Sequence, residues 1–163
     1  MTEQTLTFAS FYQGWDGYQK HLIDVIAPLS EEQLALSAAP HLRSIGLNAA
    51  HIIGARAGWF SYVLKEGQEK LATLDAWDEP GQPARSAAEL VSGLEITWQV
   101  LQQGLQRWTG ADLEEIFYDT NEAGEQEALT RQWVIWHLIE HDLHHGGEIS
   151  FTLGMHGLAA IDL

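Results

Sequence analysis

The sequence predicts an all-α domain built on four long helices. Four segments place apolar residues at three- and four-residue steps, and no stretch sustains strict apolar/polar alternation over the length of a strand. Two pairs, Ser30 with Gln33 and Ser86 with Glu89, have the spacing of capping boxes.

The first helix is expected over about Thr5 to Ala27, where Leu6, Phe8, Phe11, Trp15, Tyr18, Leu22, Val25 and Ile26 form a wide apolar face before Pro28 ends it. Ser30 then caps a short connecting helix. The second helix starts at Ser44, an N-cap residue, and runs through His51, Ala55, Trp59 and Tyr62 to Gly67 as C′ glycine. Pro80, Gly81 and Pro83 make the stretch from Thr73 to Arg85 a surface loop. Ser86 and Glu89 cap the third helix, marked by Leu90, Leu94, Trp98, Leu101, Leu105 and Trp108 and ending near Gly110. From Ala111 to Leu129 the chain is rich in acid, with Asn121 among the seven carboxylates, and reads as a solvated loop. A hairpin with Phe117 and Tyr118 on one arm and Ala123–Gly124 near its turn is the alternative. Thr130 caps the last helix, which is apolar around much of its circumference and therefore central, with Gly154 and Gly157 marking its end. Trp15, Trp98, Trp108, Trp133 and Trp136 sit at core spacing and are expected to fill the interior.

The 163 residues read as a single domain over 1–163, long enough to bury roughly 70% of the unfolded surface. Eight Lys and Arg face 23 Asp and Glu, a formal charge of −15. Nucleic acid and anionic lipid need clustered cations, so neither is an expected partner. No apolar run is long enough to cross a membrane, and Met1 to Ser10 has no leader pattern, so a cytoplasmic protein is expected. The chain has no cysteine, which leaves His, Asp and Glu as its strong metal ligands and requires any reactive thiol to come from a partner molecule.

Four of the eight histidines, His137, His141, His144 and His145, crowd the last helix. At about 100° per residue, with His137 as zero, Glu148 falls at about 20°, His141 at about 40°, His145 at about 80° and His144 at about −20°. All five share one face, whereas Asp142 and Glu140 point away from it. Imidazoles four residues apart can converge on one ion, as His141 and His145 or His137 and His141 are spaced to do. A site open to substrate needs a third protein ligand, and His51 is the best placed, because its small neighbours Gly54, Ala55 and Gly58 let another helix approach. His21, His41 and His156 read as exposed or structural. Arg56 is expected in a surface ion pair. Trp59 and Tyr62 fit a pocket mouth, core packing or an interface equally.

The run His141-Asp142-Leu143-His144-His145-Gly146-Gly147-Glu148-Ile149 resembles the H-x-x-H-H-R-G-Q signature of the DinB family, the DinB/YfiT-like metalloenzymes, and Ser44-Ile45-Gly46 followed by His51 resembles that family's second helix. The resemblance implies a four-helix bundle of up-down-down-up connectivity, often dimeric, with a divalent metal on His51, His141 and His145. Zinc or nickel is the first expectation, with iron or manganese as alternatives. Gly146 stands where the family usually has Arg, and Glu148 where it has Gln. Glu148 is then a candidate general base or an acceptor for an imidazole N–H, and His137 and His144 are candidates to orient the ligands. The implied function is a metal-dependent enzyme acting on a small molecule, either a thiol S-transferase joining a low-molecular-weight thiol to an electrophile or a hydrolase. The competing readings are a non-catalytic dimeric bundle with a structural metal serving as a binding or stress-response module, and a histidine-rich bundle with no metal.

Overall fold

The four long helices pack through a short list of neighbour pairs. In the computed structural model, which describes residues 7–120 and 123–163, they are α1 (Gln13–Ile26), α2 (Ile45–Gly58), α3 (Ala87–Arg107) and α4 (Arg131–Met155). Helix α2 packs against α3 and α4, and α1 packs against the same two. The Ser86/Glu89 and Ser30/Gln33 capping boxes form as expected, and Ser44 and Thr130 accept the amides of Leu47 and Trp133. No helix among the described residues is long and apolar enough to cross a membrane.

Three segments differ from the sequence reading. The first helix is not continuous: Phe8–Phe11 forms a separate turn, and Tyr12, at φ −96° and ψ 29°, interrupts the helical path just before Gly14 and Gly17 lower the local propensity. Thr5 and Leu6, where that helix was expected to start, lie outside the described residues, as do Asn121 and Glu122. Helix α2 ends at Gly58 and passes into one π turn, Trp59–Val63, instead of running on to Gly67. Ser61 donates to the carbonyl of Ala57 at 2.7 Å there, a competing bond that bends helices, and the widened turn keeps Phe60 and Val63 buried. The 73–85 loop carries a 3₁₀ turn, Asp75–Asp78, held against α2.

The acidic stretch is a hairpin rather than a loop. Strands β1 (Ile116–Thr120) and β2 (Gln126–Thr130) pair antiparallel, with Phe117 opposite Leu129 and Asp119 opposite Glu127. Leu129 is buried and Phe117 lies under the Arg131 guanidinium, 4.9 Å from the ring centre. Gly124 takes φ 79° between the arms. These few apolar contacts anchor strands that carry only Asp119 and Glu127 of the stretch's acids.

All four helices meet at a buried polar knot. Arg56 of α2 is 1% exposed and Asp142 of α4 is 0% exposed; their closest approach is 2.6 Å, with two further contacts at 3.1 Å. Arg56 also donates to Gln19 of α1 at 2.8 Å, Trp15 donates to Asp142 at 2.6 Å, and Gln19 reaches the Leu94 carbonyl of α3 at 3.1 Å. Arg56 is thus a core residue, not the surface ion pair expected of it. With Leu22, Ile52, Ile53, Leu94, Leu101, Leu138 and Ile149 packed around it, the pair fixes how α2 and α4 lie along one another.

Candidate metal centre

Helix register carries the knot's consequence to the histidines. His51 precedes Arg56 by a turn and a half on α2, and His141 adjoins Asp142 on α4, so locking the ion pair brings the two rings together, 4.6 Å between centres and tilted by 48°. Their Nε2 atoms lie 3.0 Å apart. His145, one turn beyond His141, completes the group: its ring centre is 4.5 Å from those of both His51 and His141, and one nitrogen of each residue lies within 4.8 Å of the others'. Tetrahedral ligation with bonds near 2.0–2.1 Å puts nitrogens roughly 3.3 Å apart, close to the separation His51 and His141 already have.

The rings are oriented as well as gathered. Asp78 Oδ2 accepts from His51 Nδ1 at 2.6 Å, and Glu148 Oε2 accepts from His145 Nδ1 at 2.8 Å. A carboxylate at Nδ1 fixes the proton there and leaves Nε2 as a lone pair, the form that binds metal. His141 Nε2 faces His51 while its Nδ1 is buried without a partner among the described residues. Burial, reinforced by the neighbouring imidazoles and Arg56, pulls the His141 pKa down to about 3, and burial also lowers that of His145. Burial thus favours the neutral imidazole at His141 and His145. Three imidazole nitrogens flanked by two carboxylates suit a divalent cation, whose charge those carboxylates balance.

Asp78 approaches closely because residue 54 is glycine. A Cβ there would sit 2.7 Å from Asp78 Oδ1. The sequence reading missed Asp78, placed 27 positions from His51 in a stretch read as loop, and no helical or strand period links the two. Gly146 has an equally steric explanation: the Tyr18 hydroxyl and ring stand where its Cβ would be, so Tyr18 occupies the room that a side chain at 146 would need.

The remaining candidates divide. Glu148 sits on His145. His144 is exposed, 3.6 Å from the other Glu148 oxygen, and it joins His145 and Glu148 in a second group of converging donors. His137 is stacked on Trp133, 5.0 Å between centres and 6° from parallel, with Trp59 edge-on at 4.9 Å; its ring centre is 6.1 Å from that of His141. Trp133 and Trp136, expected in the core, are 44% and 57% exposed, because the buried face of α4 is already filled by Val134, Ile135, Leu138 and Asp142. Trp15, Trp98 and Trp108 are buried as expected. Tyr62 is exposed and donates to Asp75.

Comparison with known proteins places the chain in a family and a fold. The DinB family model matches residues 1–162. Among solved structures, the crystal structure of a DinB-like protein from Bacillus cereus ATCC 10987 is similar at 24% identity and a TM-score of 0.72, covering 98% of this chain and 99% of that one. At that identity the likeness speaks for the fold. No functionally curated protein matches the chain. A match along nearly the whole length, with His51, His141 and His145 brought together, makes this chain a member of the DinB family.

Proposed function

We propose that this chain is a metal-dependent enzyme whose divalent ion is held by His51, His141 and His145, with zinc or nickel ahead of iron or manganese. The observation that carries the reading is the pair of carboxylate–imidazole contacts, Asp78 to His51 and Glu148 to His145, which aim two Nε2 lone pairs toward the point that His141 Nε2 also faces. When bound, such an ion supplies a Lewis acid with positions left for a small molecule. The protein's own groups do the rest. Asp78 and Glu148 hold the rings, the Arg56–Asp142 pair holds the helices, and the Glu148 oxygen turned away from His145 is a proton acceptor beside the centre. With no cysteine in the chain, a thiol S-transferase reaction takes its sulfur from a low-molecular-weight thiol; hydrolysis is the other reaction class.

The helix packing is read as a four-helix bundle of up-down-down-up connectivity forming one domain. Pairing of two copies is assigned to the outer face of α4, where Trp136, Leu143 and Phe151 are exposed beside Gly147 and Gly154, whose Cβ positions are open. A second functional reading, a closed structural site, is favoured by the His144–His145–Glu148 group, because a fourth protein ligand drawn from it fills the open position. X-ray absorption on metal-loaded protein separates the two. Three nitrogen ligands plus exchangeable light atoms, together with turnover of thiol–electrophile pairs or esters that is lost in His51→Ala, support the enzyme; four protein ligands and no turnover support the structural site.

A further inference from the structure

On the far side of Asp78 from the histidines' claim on it lies a cavity of about 710 Å³, between the start of α2 and the segment running from Trp77 to Ser86. Its size is that of a small-molecule site, commonly about 300–1,000 Å³. Leu34, Leu47, Trp77 and Pro83 give it apolar walls, and Arg43 and Arg85 also line it. Two of only eight Lys and Arg in the chain therefore face one cavity.

Their pairing is looser than that of the best-paired cations. Lys20, Arg56, Arg107 and Arg131 each have a carboxylate oxygen at 2.6–2.7 Å. Arg43, like Lys65 and Lys70, makes no ion pair among the described residues. Arg85 is four-fifths buried at its side chain, yet its contacts are a 3.5 Å approach to Glu89 and a 3.4 Å approach to Gln82, and its Nε is buried with no partner. Glu89 offers Arg85 only Oε1, at that long distance, because Oε2 is committed to the amide and hydroxyl of Ser86 in the α3 capping box at 2.9 and 2.8 Å. The Arg85 guanidinium lies over Trp77, its carbon 4.6 Å from the ring centre, which holds it in place with its two amino groups weakly engaged and its Nε–H unspent. Of the acids that line the cavity, Asp78 is engaged by His51, and Glu31 and Glu79 are exposed.

We infer that this cavity binds a small organic anion, its carboxylate or phosphate on Arg85 and Arg43 and its apolar body against Trp77 and Leu47. A guanidinium with a buried unpartnered Nε–H and two weakly engaged amino groups, beside a second arginine and apolar walls, is matched better by a planar or tetrahedral oxyanion than by a neutral or cationic molecule of the same shape. The inference concerns binding and stands whether or not the three histidines hold a metal.

Titration calorimetry on metal-free protein with benzoate and phenyl phosphate tests it, with benzyl alcohol and benzamidine as neutral and cationic counterparts. The two anions separate a carboxylate preference from a phosphate preference. At least one anion is expected to bind, benzyl alcohol and benzamidine not to, and Arg85→Gln to weaken the anion about tenfold or more while Arg107→Gln leaves it unchanged. Arg43→Gln, at an exposed position, gives the same direction should Arg85→Gln not fold. The Trp77 indole N–H signal, identified by its loss in Trp77→Phe, is expected to shift on titration. Binding of neither anion, equal binding of benzamidine, or insensitivity to both arginine substitutions overturns the inference. Metal uptake that fails while anion binding persists sinks the metalloenzyme reading alone, and the converse result sinks only this one.

Discussion

Replacing Asp142 with Leu tests whether the buried ion pair is what sets the histidine register. The substitution leaves the Arg56 guanidinium buried with only Gln19 at 2.8 Å and Thr97 at 3.5 Å, and it strips the Trp15 indole of its acceptor. An unpaired buried charge of this kind costs about 3–5 kcal/mol. A domain of this size loses about 2–4 °C of midpoint per kcal/mol, so the expected fall is roughly 6–20 °C. Urea unfolding at pH 7 in the presence of chelator measures this without any contribution from bound metal. Pairing Asp142→Leu with Arg56→Met removes both charges and is expected to recover most of the loss, since hydrophobic replacement of a whole buried pair is often neutral or stabilising. A single variant within about 1 kcal/mol of wild type, or a double variant less stable than the single, would refute the argument that Arg56 depends on Asp142.

Other expectations follow from the same geometry. Asp78→Ala is expected to weaken metal binding about 10–100-fold in a competition titration with a chromophoric chelator, because His51 loses the group that orients it. Gly54→Ala should move affinity the same way without touching any donor, since the new methyl meets Asp78 Oδ1; unchanged affinity would show that Asp78 is not needed where it stands. For the metal-free protein, His141 binds its proton only near pH 3 when folded but near 6.5 when unfolded, so the unfolded state takes up more protons between those values. Stability should therefore fall as pH drops from about 6.5 toward 3, and His141→Asn should flatten that limb of a pH series of urea midpoints. Leu143→Glu on the outer face of α4 is expected to shift sedimentation from dimer to monomer with the fold intact by circular dichroism; a wild-type monomer would remove the dimer assignment.

The sequence disclosed those parts of the molecule governed by short-range periodicity. The caps at Ser30, Ser44, Ser86 and Thr130 and the helices that follow them were legible because a cap needs only residues three apart. His141 and His145 were legible for the same reason, and His51 followed from its small neighbours and from the family resemblance. What escaped depends on contacts distant in sequence. Asp78 meets His51 only because Gly54 opens the way, and Arg56 meets Asp142 only once α2 and α4 are packed. Trp133 and Trp136 show the limit of periodicity on a helix that is apolar nearly all round: spacing marks them apolar without saying which side is covered. The hairpin over Ile116–Thr120 and Gln126–Thr130 was obscured because acidic residues crowd its flanks and turn, its strands are short, and a single inward pair, half-buried Phe117 opposite buried Leu129, anchors it.

The most direct test of the account is metal content per chain in tag-free protein beside His51→Ala, His141→Ala and His145→Ala, before and after reconstitution with zinc, nickel, iron or manganese. About one divalent ion per wild-type chain is expected, lost in each of the three variants and retained in His21→Ala, with a chelator-sensitive thermal midpoint only where the ion is present. No uptake of any of these ions by the folded wild-type protein, or equal uptake by the three variants, would contradict the assignment of His51, His141 and His145 as a metal centre.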